Sequence, residues 1–305
     1  MVVASLKQKI MKEYVGDRMK AVIPAAGLGV RFLPLTKDMP KEMLPVVHKP
    51  TIQYVVEEAV SSGIKDILII TGRGKRSIED HFDRSLELEN VLGNNGRTED
   101  LEEIIRIANM ANIHYLRQKV PLGLGDAVLL ARQHVGNEPF AVMLGDTINL
   151  SKVPVVKQLI DMHAELGGSI IAVEPVSRDK VQDYGIIKGT NISDNLYDIE
   201  DLVEKPSPEE APSDMGITGT YVLSPRIFDC LERTPPGRGG EIQLTDALRL
   251  LSKEEKVYGL KFEGRRYDIG DKLGWLKTTM ELALEDPELG PQLSEYLQLL
   301  MAQQR

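Results

Sequence analysis

The first half of the chain alternates short apolar runs with amphipathic segments. The first run, residues 20–23, is rich in β-forming residues, and the segments between the runs repeat apolar residues at three- and four-residue spacing. Strands are predicted at residues 20–23, 66–70, 113–117 and 140–144. Because strands that alternate with helices form right-handed βαβ units, this pattern predicts a parallel sheet flanked by helices.

Two helices of this half are predicted from their apolar faces. Residues 52–62 are followed by Gly63, which can adopt the left-handed conformation that ends a helix. Residues 98–110 begin with Thr98, a candidate N-cap. The apolar positions of the two faces are Ile52, Val55, Val56, Ala59, Leu101, Ile104, Ile105 and Ala108. We expect both helices to pack on the sheet as scaffold.

After residue 168, strand-like runs follow one another with little helix between them. They are residues 169–175, 184–188, 201–205 and 216–223, and their close succession predicts a mixed or antiparallel arrangement. Ligands bind beyond the carboxyl ends of parallel strands. We therefore expect the second half to fold over that crevice and to supply the pocket for an acceptor substrate.

The two ends of the chain are predicted to be helical. Residues 1–18 place Leu6, Ile10 and Tyr14 at four-residue spacing, which predicts a short amphipathic extension. Residues 273–305 are rich in leucine and predict helices for packing or oligomerisation. Between them, residues 19–272 are expected to form one domain with two halves, 19–167 and 168–272.

Composition limits the classes of function. The chain has 305 residues, 42% of them hydrophobic, and a net charge of −9 from 37 basic and 46 acidic residues. The negative charge argues against nucleic acid and anionic membranes as partners. A single cysteine excludes an internal disulfide framework. There is no apolar run of about 18 residues, and the N-terminus is too charged for a secretory signal, so a cytoplasmic location is expected.

A loop of small residues follows the first predicted strand. Apart from Leu28 it contains Ala25, Ala26, Gly27 and Gly29. A ligand can approach such a backbone closely, and Arg31 and Lys41 add the fixed positive charge that a polyphosphate needs. The third glycine of a dinucleotide fingerprint is missing, as is the Gly-Lys-Ser/Thr of a P-loop. The sequence therefore predicts a nucleoside triphosphate site of another kind.

Two acids are candidate metal ligands. Asp146 follows residues 140–144, at the edge where a parallel sheet binds ligands, and a carboxylate there suits Mg²⁺. The alternative role for Asp146 is to cap the next turn. Asp268 also ends a short predicted strand, whereas Asp271 is interpreted as the N-cap of the following helix.

Polar residues at other strand ends point to a base and to a sugar phosphate. Gln118 follows residues 113–117, and its amide matches the imide edge of uracil or thymine, although a surface glutamine fits the spacing equally well. Glu204 and Lys205 suit sugar hydroxyls and a phosphate. Neighbouring residues of a strand face opposite ways, so Lys205 needs a local bend to reach the site; without one the two form a solvated surface pair.

These pieces together resemble the bacterial and archaeal UTP–glucose-1-phosphate uridylyltransferases of the sugar-1-phosphate nucleotidylyltransferase superfamily. The resemblance runs from Met19 nearly to the end of the chain. The motifs that carry it are IPAAGLGVRF at 23–32, PKEMLP at 40–45, QYVVEE at 53–58, VEKP at 203–206 and GEIQLTDA at 240–247. It implies a Rossmann-like, mixed, mainly parallel sheet flanked by helices, with a smaller β-rich sugar-binding part.

The resemblance also implies roles for individual residues. Those of the nucleotide site would be Ala25, Ala26, Gly27, Gly29, Gln118 and Gly123, and those of the sugar site Gly185, Glu204, Lys205 and Glu241. Arg31 and Lys41 would hold the triphosphate, and Lys205 the sugar phosphate. Asp146 and Asp268 would bind Mg²⁺. The implied substrates are UTP and glucose 1-phosphate. The resemblance also implies that the protein is a homodimer or homotetramer.

Four residues depart from the family pattern. Thr220, His48, Asp126 and Thr147 stand where relatives have Arg, Asp, His and, in some, a second Asp. These changes leave the proposed phosphate and metal groups in place but bear on base and sugar preference.

Two rival functions remain open. One rival is a thymidylyltransferase, since thymine offers the same imide edge; the other is a non-catalytic protein that binds nucleotide sugars. A nicotinamide dehydrogenase fits worse, for want of the third glycine.

Overall fold

A nine-stranded sheet forms the centre of the protein. The computed structural model describes residues 19–303, apart from the side chain of Arg238, so the helix predicted for residues 1–18 lies outside the described part. Strands in chain order are β1 (Lys20–Ala25), β2 (Pro45–Val46), β3 (Lys49–Pro50), β4 (Asp66–Thr71), β5 (Asn112–Arg117), β6 (Phe140–Met143), β7 (Thr147–Leu150), β8 (Ser169–Pro175), β9 (Gly185–Ser193), β10 (Leu196–Glu204), β11 (Met215–Leu223), β12 (Val257–Lys261) and β13 (Arg265–Asp268).

Helices cover both faces of this sheet. They are α1 (Thr51–Ser61), α2 (Arg76–Phe82), α3 (Leu86–Asn94), α4 (Thr98–Ala108), α5 (Leu124–Leu129), α6 (Arg132–Val135), α7 (Val155–Leu166), α8 (Ile227–Arg233), α9 (Leu244–Leu251), α10 (Lys272–Glu285) and α11 (Leu289–Gln303). Alternate residues of β1 enter two separate cores, so that Val22 packs with α5, α6, α8 and α9, whereas Ile23 packs with α1, α2 and α7.

The strand order is β5-β4-β1-β6-β11-β8-β12-β10-β9, and the sheet is mixed. The four strands from β5 to β6 are parallel, as the alternating pattern predicts. Beyond β6 the neighbouring pairs are antiparallel, except for β8 with β12. The expectation of a mainly parallel sheet therefore holds for the first half only, because β9 and β10 form a hairpin and β11 runs against β6.

The predicted helices of the first half are present, but only α1 buries its apolar face, because α4 has no buried residue. The apolar face of α1 is fully buried, and Gly63 just beyond it has a φ of 91°. In α4, however, Thr98 is the first residue inside the helix, and Arg97 occupies the N-cap position without a capping hydrogen bond from its side chain. The cap prediction for Thr98 was therefore wrong. A hydroxyl can hydrogen-bond locally from either position, so residue type alone does not fix the boundary.

A third, smaller core lies beneath the two-stranded ribbon of β7 and β13. It contains Phe32, Leu44, Ile148, Tyr267 and Ile269, all buried. The first turn of α10 closes it, where the indole Nε1 of Trp275 donates to the carbonyl of Pro45 at 2.9 Å. This core holds the ribbon, whose ends carry Asp146 and Asp268, against the glycine-rich loop.

Among the described helices, none is long and apolar enough to cross a bilayer.

A buried carboxylate joins three elements behind the sheet. Glu58 of α1 accepts hydrogen bonds from the backbone N–H of Val156 at 3.0 Å and from the side-chain amide of Asn149 at 3.1 Å. It is 8% exposed and pairs with no cation in the described structure. Burial raises the pKa of Glu58 from its ordinary 4.5 to about 7, and the two hydrogen bonds offset only part of that rise.

The replacement Glu58→Gln should make folding stability less dependent on pH. The folded-state pKa lies above the unfolded value, so Glu58 costs stability as pH rises from about 4.5 through about 7. The whole effect amounts to about 3 kcal/mol at pH 8. Urea unfolding at pH 5 and pH 8 measures it. The control Glu57→Gln alters a partly exposed, ion-paired carboxylate, and it should still lose folding stability between pH 5 and pH 8. An equal loss of stability in Glu58→Gln would contradict the assignment.

Candidate functional site

A cleft of about 850 Å³ opens at the carboxyl ends of β1, β5 and β6. It is lined by nearly all the residues that the sequence singles out: Ala26, Gly27, Gly29, Arg31, Lys41, Gln118, Gly123, Asp146, Gly185, Glu204, Lys205, Glu241 and Asp268. The fold thus brings residues from both halves of the chain to one site, as the topology of the first four strands leads one to expect.

Ala25 is the exception among the predicted residues. It is the last residue of β1, 1% exposed, and its side chain packs in the core on the far side of the sheet. Its neighbours Pro24 and Ala26 line the cleft instead. The reason is the two-residue period of a strand, which turns adjacent side chains to opposite faces.

The glycine-rich loop is shaped by one left-handed residue and one hydroxyl. Gly29 has a φ of 65°, which strains any residue with a Cβ, and its carbonyl accepts a hydrogen bond from Thr36 at 2.7 Å. A Cβ at Gly27 would lie 3.8 Å from the ammonium of Lys41. The loop backbone at Gly27 thus lies next to a lysine charge, an arrangement that suits a phosphate.

Lys41 and Asp146 form an ion pair at the floor of the cleft. The ammonium donates to Oδ2 of Asp146, and both side chains are largely buried, 21% and 17% exposed. Burial alone would lower the pKa of Lys41, but the carboxylates of Asp146 and Glu42 raise it above its usual value. Burial would raise the pKa of Asp146, yet Lys41 and Arg31 hold it below its usual value. Both groups are charged at neutral pH.

A second ion pair lies directly beneath the first. Lys75 donates to Oε2 of Glu42 at 2.7 Å, with side chains only 7% and 1% exposed. Burial raises the pKa of Glu42, and Lys75 and Lys41 offset part of that rise. Lys75 belongs to the loop after β4, and at Gly72 of that loop a Cβ would lie 3.0 Å from the carbonyl oxygen of Ala26. The pair thus fixes the loop after β4 to the triphosphate loop.

The two candidate metal ligands come together through β7 and β13. Asp268 pairs in register with Thr147, and the N–H of Ile269 donates to the backbone carbonyl of Asp146 at 3.1 Å. Two carboxylates at the edge of a phosphate-binding cleft match the ligand set that Mg²⁺ prefers, one or two acids completed by phosphate oxygens and water. Asp271 caps α10 by accepting from the N–H of Gly274 at 2.8 Å, which confirms that interpretation.

Asp268 is held by partners that the sequence does not reveal. Its Oδ2 accepts from the guanidinium of Arg266 at 3.2 Å and from the hydroxyl of Tyr184 at 3.1 Å. Arg266 is buried and also binds Glu174 at 2.6 Å. Burial would lower the pKa of Arg266, but Glu174 and the neighbouring Asp268 keep it above its usual value. This network ties the edge that carries the candidate metal ligands to β8 and to the start of β9.

The predicted base site is built from a glutamine with a fixed orientation. The amide nitrogen of Gln118 donates to the carbonyl of Gly123 at 3.1 Å and to Oδ2 of Asp126 at 2.7 Å. Gly123 has a φ of 105°, and a Cβ there would lie 2.7 Å from the side chain of Glu241. Only glycine fits between the two loops.

Two backbone hydrogen bonds join the base loop to the sugar side. The N–H of Ile242 donates to the carbonyl of Leu122 at 2.7 Å, and that of Gly125 donates to the carbonyl of Ile242 at 2.8 Å. Glu241 lies beside them and lines the cleft. The loops that carry the candidate base-binding and sugar-binding residues therefore form one hydrogen-bonded unit.

Glu204 and Lys205 both face the cleft because the chain bends at the lysine. β10 ends at Glu204, and Lys205 has a φ of 46°, a left-handed conformation that is costly for a residue with a Cβ. The required bend thus lies at Lys205 itself. Its ammonium is 3.3 Å from Glu204, whose other oxygen accepts from Thr245 at 2.6 Å. A Cβ at Gly185 would meet that threonine hydroxyl at 2.7 Å.

The residues that depart from the family pattern occupy different environments. His48 is exposed and Thr220 is buried, and neither lines the cleft. Asp126 contacts Gln118, so this change touches the base site directly. Thr147 lines the cleft beside Asp146.

Several site residues escape prediction from sequence: Glu42, Lys75, Tyr184 as a hydroxyl donor, Arg266 and Thr245. A glycine-rich basic loop, residues 72–75, follows a predicted strand and is a signal that would have found Lys75. For Arg266 and Thr245 the chain offers no comparable local signal.

Comparisons with known proteins identify the family of the chain. The family model described as nucleotidyl transferase matches residues 20–284. The chain belongs to this family. UTP–glucose-1-phosphate uridylyltransferase YngB of Bacillus subtilis is 57% identical over 279 residues, which cover 92% of the chain and 94% of that protein.

Two solved structures of the family are similar over nearly their whole length. A UDP-glucose pyrophosphorylase complexed with UDP-glucose is 42% identical, with a TM-score of 0.82, and the match covers 88% of this chain and 99% of that one. A UTP-bound UGPase from Acinetobacter baumannii is 40% identical, with a TM-score of 0.84 and coverage of 93% and 98%. The nucleotidyl transferase fold is thus shared across the described chain.

Breaking the deeper ion pair should destabilise the protein. Lys75→Met leaves Glu42 buried without its cation, which costs about 3–5 kcal/mol. The loss should be smaller at pH 5 than at pH 8, because protonation of Glu42 removes the buried charge. Urea unfolding at both pH values measures it.

The matched control is Arg76→Met, next in sequence, which removes an exposed pair with Asp80 at 3.4 Å. It should cost less than about 1 kcal/mol. Equal losses for the two variants would show that the Lys75–Glu42 pair adds no stability beyond that of a surface pair.

Proposed function

We propose that the protein transfers UMP from UTP to α-D-glucose 1-phosphate, giving UDP-glucose and pyrophosphate. The observation that carries the proposal is a single cleft that combines a base-reading amide, a cationic triphosphate loop, two acids and a carboxylate–lysine pair for a sugar phosphate. The names of the relatives and the ligands of the two similar structures support this choice of substrates.

The two halves of the chain hold different substrates in this proposal. Ala26, Gly27 and Gly29 line the path of the triphosphate, with Gln118 and Gly123 at the base. Gly185, Glu204 and Glu241 face the glucose hydroxyls. Lys205 binds the phosphate of the acceptor, whose oxygen attacks.

The reaction is an in-line displacement at the α-phosphorus of UTP. A phosphate oxygen of glucose 1-phosphate forms the new P–O bond as the bond to the β-phosphate oxygen breaks, and pyrophosphate leaves with that electron pair. The attacking group is already an anion at neutral pH, so no general base and no covalent enzyme intermediate are needed. Arg31 and Lys41 stabilise the charge that moves onto pyrophosphate.

Mg²⁺ is the proposed cofactor, and Asp146 and Asp268 would hold it. When bound, it supplies positive charge that lowers the repulsion between two anionic substrates. In the described structure Lys41 already pairs with Asp146. The floor of the cleft therefore offers a cation to a phosphate as well as a carboxylate to a metal ion.

Replacing either acid should abolish pyrophosphate release. For Asp146→Asn and Asp268→Asn we expect a fall in kcat of at least about 100-fold, the usual cost of losing one charge-stabilising group. Initial rates at increasing Mg²⁺ concentration measure it, with thermal unfolding as the check on folding.

The control is Asp80→Asn, an exposed acid outside the cleft, which should keep full activity. Nucleotide binding without turnover by the unmodified protein would favour the non-catalytic alternative. Unchanged rates in both cleft variants would remove the two acids from the mechanism.

Base preference should depend on Asp126. Because Asp126 and Gly123 hold the amide nitrogen of Gln118, the carbonyl oxygen is the end offered to the base, and it matches the imide N–H of uracil. Cytosine has no such N–H. Asp126→Leu frees the amide to rotate and should reduce the ratio of kcat/KM for UTP over CTP by about threefold to tenfold.

The conservative variant Asp126→Asn keeps an acceptor and should retain the preference. An unchanged UTP to CTP ratio in Asp126→Leu would contradict the orienting role. The same assay with dTTP tests the thymidylyltransferase alternative, which predicts faster rates with dTTP than with UTP.

We also propose that the enzyme is a cytoplasmic homo-oligomer. Four residues of α10 form an exposed apolar stripe at three- and four-residue spacing: Leu273, Leu276, Met280 and Leu284, between 39% and 60% exposed. Such a stripe is typical of an interface with a second copy. Light scattering should give the mass of two or four chains of 33.9 kDa, and the mass of one chain would contradict the proposal.

A further inference from the structure

A cluster of two histidines and one aspartate lies at the sheet edge opposite the cleft. Asp66 is the first residue of β4, His114 lies on β5 and His134 on α6. In the parallel register His114 pairs with Leu68, two residues beyond Asp66, so both polar side chains lie on the face that α6 covers. The proposed reaction uses none of the three.

The ligand atoms of this cluster are spaced as a metal ion requires. The ring Nε2 of His134 is 2.9 Å from Oδ1 of Asp66, and the ring Nε2 of His114 is 3.6 Å from the same oxygen. All three ligand atoms lie within 4.8 Å of one another. In a tetrahedral site with bonds of about 2.0–2.1 Å, ligand atoms are about 3.3 Å apart, and the two measured separations lie on either side of that value.

We propose that Asp66, His114 and His134 bind one divalent transition-metal ion, with zinc the best match. Two imidazole nitrogens and one carboxylate are ligands that zinc takes, whereas Mg²⁺ prefers oxygen alone. His114 is 53% and Asp66 37% exposed, so water can reach the fourth position. The ion would fasten the edge strand β5 and helix α6 to β4.

A neighbouring lysine sets a limit on the affinity. Lys20 lies next to Asp66 in the register of β1 and β4, and its ammonium donates to the backbone carbonyl of His134. That bond helps to position α6, but the positive charge opposes a second cation. We therefore expect weaker binding than in a closed structural zinc site with four protein ligands.

Calorimetric titration of the metal-free protein with zinc chloride tests the proposal. The titration is done at about pH 7.5 with excess Mg²⁺, which occupies oxygen-only sites. One zinc ion per chain should bind to the wild type and to His48→Ala, which removes an exposed histidine outside the cluster. Binding should be lost in His114→Ala and in the double variant with His134→Ala. Zinc should raise the unfolding temperature only where it binds.

Cobalt(II) reports the ligand geometry of the site by its absorption. The intense visible absorption of a tetrahedral cobalt site should appear in the wild type and be absent from His114→Ala. Since the His114 side chain is half exposed, this variant is expected to fold, and its unfolding temperature without metal should match that of the wild type.

Zinc binding of equal stoichiometry and affinity in the cluster variants would overturn the proposal. So would a wild type that binds no zinc, and the cluster would then be a hydrogen-bonded clamp only. Pyrophosphate release by His114→Ala should remain at the wild-type rate, which separates this test from that of the proposed function.

Discussion

The cleft depends on charges that are held in alternating order before any substrate binds. Lys75, Glu42, Lys41 and Asp146 follow one another from the interior to the floor of the site. A lone buried charge would be expelled or neutralised, but each group here lies beside one of opposite sign. Loops after β1, β4 and β6 contribute to this chain of charges. The position of the glycine-rich loop is therefore set by electrostatics across the sheet as much as by its glycines.

Much of this site could be predicted because strand ends coincide in a parallel sheet. The apolar runs that became β1, β4, β5 and β6 alternate with helix-like segments, so their existence follows from local pattern. Polar residues directly after them then fall at one edge without any knowledge of strand order. Gln118 and Asp146 were found in this way.

The remainder depends on contacts between residues distant in sequence. β7 and β13 are short and give weak patterns, so a strand ending at Asp268 was predicted but its pairing with β7 was not. β11 pairs with β6 in the antiparallel direction, and local propensity does not determine which strands pair. The side-chain direction of Ala25 was missed because a motif match ignores the strand period. The bend at Lys205 was required by the sequence argument, but its location at the lysine was not.

The bridge from Leu122 and Gly125 to Ile242 has a consequence for protein engineering. It joins segments about 120 positions apart in the chain, and Gly123 leaves no room between them. A chimera that takes its nucleotide half from one family member and its sugar half from another would place foreign backbones at this junction. Nucleotide and sugar preference should therefore be inherited together, and exchanging them separately requires moving both segments of the bridge as one block.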